Sequence, residues 1–329
     1  MRYLFILFPF LFSFEAIAQT SPAYKDTVFT EYFRRTSGWT AGDATISVPV
    51  PCENKTIWLF GDSYLDHVEE ADTTLPCLFQ VRNAMMVQDL KHQDEFRTII
   101  DESAEGVDRT PIKIDDGNET FFWPKHGYAE GDTAFIFWGR HNSDLENLGT
   151  WLATVDVKNL SDASAVVDFE EMSDLSRDSL GFGNSVLIDS AENYVYVYGV
   201  KKVWLFNAPV VARFPVGGSV KGPWEFYNGK DWTSDPDDVE VIFEGSDVVS
   251  DFSVMKFQEK YIMVSQEVGF LTCGLGREIY SWESDTPYGP FTNKKILYTI
   301  EDKYRGNYWV TYNATAHPEF VKDNERLIS

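Results

Sequence analysis

Two aspartates flank the first pair of apolar segments in this chain, and carboxylates so placed can do acid–base chemistry. Asp43 stands before Ala44-Thr45-Ile46-Ser47-Val48, and Asp62 follows Ile57-Trp58-Leu59-Phe60-Gly61. If these segments are antiparallel neighbours joined by the turn near Pro51 to Lys55, about eight residues lead out and about seven lead back. Asp62 then returns to the rim where Asp43 sits, roughly 5 Å away backbone to backbone. Two carboxylates at one pocket shift each other's proton affinity and can divide the roles of proton donor and base or nucleophile. Cleavage of a glycosidic bond requires that division. Either aspartate alone reads as readily as a turn or capping residue. The pairing is what points to chemistry.

The segments that must position this pair recur. A polar rim, an apolar strand, a short turn and an aromatic-rich strand are written five times, beginning near residues 42, 121, 181, 250 and 312. The later copies read Phe121-Phe122-Trp123-Pro124 with Ala134 to Arg140, Gly183 to Leu187 with Tyr194 to Gly199, Ser250 to Val254 with Tyr261 to Ser265, and Tyr312 to Ala316 with Leu327 to Ser329. A spacing of 60 to 79 residues built from strands alone describes propeller blades. Third strands follow at Ala84 to Val87, Trp151 to Val155, Val210 to Phe214 and Glu278 to Trp282. Gly222-Pro223-Trp224 and Gly289-Pro290-Phe291 each place a turn before an aromatic, as the start of a fourth strand requires. The expected fold is all-β, a five-bladed β-propeller with four-stranded antiparallel blades. Its last blade is expected to be incomplete, because the sequence stops at Ser329. Val28 to Phe33 is the expected strand that closes the ring, and the acidic stretches 102–120 and 161–180 read as loops or insertions.

Inner strands of a propeller converge at one rim, which makes that rim the expected ligand site. Asp251 and Glu267 stand at the equivalent place in the fourth copy and are reserve candidates for either catalytic role. Expected ligand contacts are Trp39, Arg82, Asn83, Trp123, His126, Arg140, Asn184 and His317. Trp39 and Trp123 offer stacking faces, and the rest offer hydrogen bonds suited to a polyhydroxylated ligand. Each of these alone reads as a structural polar residue or a core aromatic; together they describe a pocket.

Composition narrows the partners. Asp and Glu outnumber Lys and Arg by 52 to 28, giving a formal charge of −24. Such a surface repels phosphate backbones and anionic lipid, so neither nucleic acid nor membrane insertion is expected; a neutral ligand such as the expected glycan is easily accommodated, and the acidity reads as keeping an exported protein soluble before it reads as steering a cation. Residues 1–18 read as a secretory leader, with Arg2, an apolar run from Leu4 to Phe14 and cleavage after Ala18. A secreted or periplasmic protein follows, with residues 19–329 as one propeller domain, expected to be a monomer. Cys52, Cys77 and Cys273 are too dispersed for a zinc site, and Cys52 and Cys77 are expected at opposite ends of a blade, unbonded. No cofactor is expected; calcium in the channel near His317 has no compact ligand motif behind it. Nucleophile elbows, phosphate loops and H-E-x-x-H are absent.

Gly38-Trp39-Thr40-Ala41-Gly42-Asp43 and Thr56-Ile57-Trp58-Leu59-Phe60-Gly61-Asp62-Ser63 resemble the opening of secreted five-bladed propellers long described as domains of unknown function. Gly183 to Leu187 and Ala316-His317-Pro318-Glu319 resemble their later blades, so the likeness runs over roughly residues 26–329. One branch of that group is similar to endo-D-arabinanases, within a wider architecture resembling arabinanases and levanases. The resemblance implies hydrolysis of furanoside-containing or other neutral glycans, with Asp43 and Asp62 matching the paired aspartates. It departs from the arabinanase pattern in lacking a general-acid glutamate in the third blade, a role left to Asp62, Asp251 or Glu267. The alternatives are a non-catalytic carbohydrate-binding propeller and a surface interaction scaffold.

Overall fold

A computed structural model of the chain describes residues 23–66, 78–175, 179–203, 206–243, 251–267 and 276–329. The expected leader, its cleavage site, Cys77 and Cys273 lie outside those residues, and Cys52 is an exposed free thiol. The chain opens with a short helix α1 (Thr27–Tyr32), then β1 (Trp39–Gly42), β2 (Ile46–Val50), β3 (Lys55–Phe60), β4 (Ser63–Leu65), β5 (Ala84–Asp89) and β6 (Phe96–Ile99). A second group follows as β7 (Phe121–Glu130), β8 (Thr133–His141), β9 (Asn147–Asp156) and β10 (Val166–Glu171). The third comprises β11 (Leu180–Asp189), β12 (Tyr194–Val203), β13 (Phe206–Pro215), β14 (Glu225–Tyr227) and β15 (Trp232–Thr233). The fourth comprises β16 (Phe252–Phe257), β17 (Lys260–Gln266), β18 (Glu278–Ser284) and β19 (Thr292–Thr299). Two hairpins close the chain, β20 (Lys303–Tyr304) with β21 (Asn307–Tyr308), and β22 (Ala316–Lys322) with β23 (Glu325–Ile328).

The four groups form four antiparallel sheets in a propeller-like arrangement, ordered β2-β3-β5-β6, β7-β8-β9-β10, β11 through β15, and β16 through β19. Period-two alternation explains how each sheet buries both faces. Along β12, Val195 and Val197 enter the core shared with the second sheet, whereas Tyr196 and Tyr198 enter the core shared with the fourth. On β3, Ile57 and Leu59 pack toward the second sheet, and Trp58 and Phe60 pack toward α1 and β22. Complete burial of such side chains contributes about 1.5–3 kcal/mol each, which is what holds neighbouring sheets face to face.

The innermost strands are also stitched by polar side chains. Nδ1 of His126 on β7 accepts from Val186 N on β11 (3.2 Å), and Ser185 Oγ accepts from Val254 N on β16 (2.9 Å). Ser253 Oγ accepts from Ala316 N on β22 (2.8 Å), and His317 Nδ1 shares a 2.8 Å hydrogen bond with Ser47 Oγ on β2. The β22–β23 hairpin therefore bridges the fourth sheet and the first.

Two expectations fail here. Val28 to Phe33 is not a strand: Asp26 caps a helix by accepting from Phe29 N (2.9 Å), and the i, i+4 pair Phe29 and Phe33 lies on Trp58. The stretch 161–180 is not all loop, since Val166–Glu171 is the outer strand of the second sheet. Trp224 and Phe291 do precede outer strands and are buried.

Candidate active site

The paired aspartates sit where two small ladders meet. Gly42 pairs with Ser63 across β1 and β4, and Ile46 pairs with Leu59 across β2 and β3. Between these ladders Asp43 N donates to Asp62 O (3.0 Å), and Gly61 N donates to Asp43 O (2.9 Å). Both carboxylates thus leave adjacent backbones at one rim. The glycines beside them permit this approach. A Cβ on Gly42 would come within 2.5 Å of Ser63 Oγ, and one on Gly61 within 3.3 Å of both Asp43 Cβ and Trp123 Cδ1. Ala44 follows at φ 56°, a left-handed conformation that costs an alanine roughly 1–2 kcal/mol. That strain turns the chain sharply between Asp43 and the start of β2, and such strain clusters at functional sites.

The two carboxylates have different surroundings. The Asp62 side chain is 15% exposed, and it accepts from Trp123 Nε1 (3.3 Å) and Arg82 Nη1 (3.3 Å). Burial raises its pKa from the ordinary aspartate value; the Trp123 and Arg82 contacts oppose that rise, and the charge of Asp43 adds to it. Arg82 is held between the rings of Phe79 (4.6 Å) and Phe121 (4.1 Å), so its guanidinium is fixed against the acid. Asp43 is partly exposed and accepts a 2.6 Å hydrogen bond from Tyr312 Oη. Burial and the neighbouring Asp43 carboxylate push the Tyr312 phenol up, so it stays a donor. A cleft of about 220 Å³ opens beside this contact, between the Gly42–Thr45 turn and Thr311 to Asn313.

The polar lining continues from Trp123 into the second and third sheets. The His141 ring lies 4.8 Å from that of Trp123 and its buried Nδ1 has no hydrogen-bond partner. Burial holds the imidazole down to about 4, and the Lys125 charge adds to the shift. Lys125 leaves β7 at an irregularity between Pro124 and Gly127 and donates to Phe182 O (2.8 Å). Its ammonium is pushed down to about 8 by burial, against the charge of Asp251. Gly139, Gly181 and Gly183 surround it, where added Cβ atoms would approach Cε, Nζ and Cδ to 3.5, 3.4 and 3.3 Å. Asn184, at the matching irregularity of β11, has an unpartnered, buried Oδ1.

Asp43, Asp62, Arg82 and Trp123 therefore come together, with Asp251 facing Lys125 further along. Four expected ligand contacts do not face the rim. Trp39 is buried, stacked 4.1 Å from Phe60 with its Nε1 on Ser63 Oγ. Asn83 is wholly buried and joins the first sheet to Ile112 and Phe122 through its amide. His126 and His317 are buried members of the inner ring of hydrogen bonds, held by burial at about 4 and about 3. His317 also meets Ser329 Oγ through Nε2 (2.8 Å), which leaves it no nitrogen for a channel cation. Arg140 is engaged by Asp116 and by Thr120 (3.2 Å). Glu267 follows β17 and accepts from Arg277 N (3.1 Å). Among the described residues no cluster of His, Cys, Asp and Glu is placed to hold a metal, and no helix is long and apolar enough to cross a membrane.

Sequence reasoning missed Tyr312 and Lys125. The adjacent polar residues Lys125 and His126 interrupt an otherwise apolar strand, and that interruption was the available signal. A larger cleft of about 1070 Å³ lies between α1, the fourth sheet and the β22–β23 hairpin, and reaches Thr45 and Ser329, which also line the smaller one. Burial raises the pKa of Glu319 there.

One family model matches, over residues 26–329: DUF5005, a domain of unknown function. No curated protein matches the chain. Among solved structures, a candidate hydrolase from Bacteroides ovatus superposes with a TM-score of 0.76 at 21% identity, covering 93% of this chain and 82% of that one. An exo-1,5-α-L-arabinanase from a bovine ruminal metagenomic library gives 0.49 at 11% identity, covering 87% and 86%. A GH43_1 enzyme from Xanthomonas citri, complexed with xylotriose, gives 0.47 at 12% identity, covering 88% and 84%. The first of these likenesses shows a shared fold; at such identities none carries an activity.

Proposed function

Since the chain belongs to the DUF5005 family, a domain of unknown function, we propose from its own site that it is a glycoside hydrolase. Its substrate is a neutral polysaccharide or oligosaccharide, with arabinofuranosyl units among the candidates. The observation that carries this reading is the unequal aspartate pair. Asp62, whose pKa burial raises, keeps its proton further up the pH scale and serves as the acid toward the leaving oxygen. Asp43, more open to solvent and oriented by Tyr312, serves as base or nucleophile. Trp123 supplies a stacking face beside Asp62, and Arg82 fixes that carboxyl in place. The net charge of −24 favours a neutral glycan over an acidic one.

Architecture and location belong to the same proposal. The β22–β23 hairpin, bonded into the inner ring between β16 and β2, is the inner half of a fifth blade. Residues 1–18 direct export and are cleaved after Ala18. The test is product release from a panel of arabinans, fructans, xylans and galactans by the protein and by Asp43→Asn, each verified as folded. Release that the substitution abolishes supports the reading. Binding of a glycan without release turns it into a carbohydrate-binding propeller, and neither binding nor release ends it.

A further inference from the structure

The connection from β19 to β22 carries, besides Tyr312, large side chains that the aspartate site does not use. Tyr304, Trp309, Val310 and Tyr312 are 55, 49, 68 and 57% exposed, an unusual density of large apolar side chains on an acidic surface. Apolar surface concentrated in this way marks a place where something binds.

This segment is built to be rigid. Lys303 pairs with Tyr308 and Tyr304 with Asn307, and Trp309 N donates to Asp302 O (3.3 Å). The Tyr308 ring is clamped between the Arg277 guanidinium (3.7 Å) and the Lys303 ammonium (4.1 Å). Arg277 is anchored in turn to Ile300 O (2.7 Å) and Glu301 (2.6 Å), and Lys25 holds Asp302 (2.5 Å). On this base the Tyr304 and Trp309 rings stand side by side, centroids 5.6 Å apart and planes 33° from parallel.

The platform is continuous with the aspartate site. Trp309 precedes Tyr312 by three residues, which places their Cα atoms no more than ~11 Å apart. Tyr312 is the residue bonded to Asp43. A few linked sugar rings span that interval. The C–H faces of a sugar ring are apolar and pack on aromatic faces, while its hydroxyls remain available to water and to polar groups on the hairpin. Arg277 and Lys25 are paired with Glu301 and Asp302, Lys303 and Arg305 lie over the Tyr308 and Tyr304 rings (4.1 and 5.1 Å), and the chain as a whole carries a formal charge of −24, which disfavours an anionic polymer.

We propose that Tyr304 and Trp309 form a stacking platform for the sugar rings of a neutral glycan beyond those held at Asp43 and Asp62, so that the protein engages an extended polysaccharide chain. The inference rests on the glycan-cleaving reading of the aspartate pair.

The test is affinity electrophoresis of the Asp43→Asn protein through gels containing soluble arabinan, levan, xylan or galactan, with and without Tyr304→Ala and Trp309→Ala. A trisaccharide of the retarding polymer is then titrated by calorimetry. The expected result is retardation by one polymer, weakened roughly tenfold or more by the two substitutions, with trisaccharide affinity unchanged. Both side chains are exposed, so the substituted protein should melt as its parent does. Polymer retained equally by the substituted protein overturns the platform and leaves the aspartate site standing. No retardation of the Asp43→Asn protein by any polymer overturns both.

Discussion

The phenol of Tyr312 donates a 2.6 Å hydrogen bond to Oδ1 of Asp43, joining the loop before β22 to the turn before β2. The donor fixes which way the carboxylate faces, and it comes from the loop leading into the hairpin that bridges the fourth sheet and the first. Site geometry therefore depends on that bridge. Tyr312→Phe removes the donor while keeping the ring. A hydrogen bond to a charged group contributes about 1.5–3 kcal/mol, so the expected result is a fall in kcat of roughly tenfold to a hundredfold. Steady-state kinetics on the identified polysaccharide measures it, with thermal melting as the control. Unchanged kcat would remove Tyr312 from the machinery.

Asp62 makes a prediction about pH. An acid catalyst must be protonated, and burial raises the Asp62 pKa, so the alkaline limb of kcat/KM should lie above the ordinary aspartate value. Arg82 opposes that rise, so Arg82→Met should move the limb to still higher pH. The same shift has a stability consequence. With the folded pKa above the unfolded one, the folded state binds more protons between them, and stability falls as pH rises through that window. Asp62→Asn should therefore raise the melting temperature at neutral pH while abolishing release. A limb at the ordinary aspartate value, unmoved by Arg82→Met, would reassign the acid.

The alternation Ile57-Trp58-Leu59-Phe60 is readable as a strand buried on both faces, because each face has its own apolar set. The Asp43–Asp62 pairing is readable for the same reason, since strand lengths on either side of one turn determine which residues meet. Direction within an irregular strand is not readable. The irregularity between Pro124 and Gly127 sends His126 to Val186 N in the neighbouring sheet, away from the rim. A similar one after His317 accompanies a histidine held between two serines. Spacing alone leaves such residues looking like ligand contacts. The helix at Thr27–Tyr32 escaped because its aromatic and β-branched composition favours a strand, and only the Asp26 cap and the packing of Phe29 and Phe33 decide otherwise.

The buried His126 and His317, with the half-buried His141, predict acid sensitivity. His126 and His141 are held by burial at about 4 and His317 at about 3, each below the ordinary imidazole value of about 6.5. Below pH ~6.5 the unfolded chain takes up protons that the folded chain refuses, so stability falls progressively from there toward pH ~4. Melting curves recorded across that range should show a steep loss, shallower in a His126→Gln variant. A flat profile would mean that these imidazoles charge freely in the folded protein.

Gly61 offers the sharpest test of how closely the aspartates are held. Its backbone conformation is open to other residues, so the cost of a side chain there is one of space. A Cβ would press on Asp43 Cβ and Trp123 Cδ1, each at 3.3 Å, tighter than ordinary contact. Gly61→Ala should displace both groups by a few tenths of an ångström, which a catalytic pair tolerates poorly and a packed sheet tolerates well. The expected outcome is a fall in kcat of roughly tenfold or more, with the melting temperature within a few degrees of the parent. If instead the variant melts much earlier with kcat intact, Gly61 serves the packing of the sheet, and the spacing of Asp43 and Asp62 matters less than their presence.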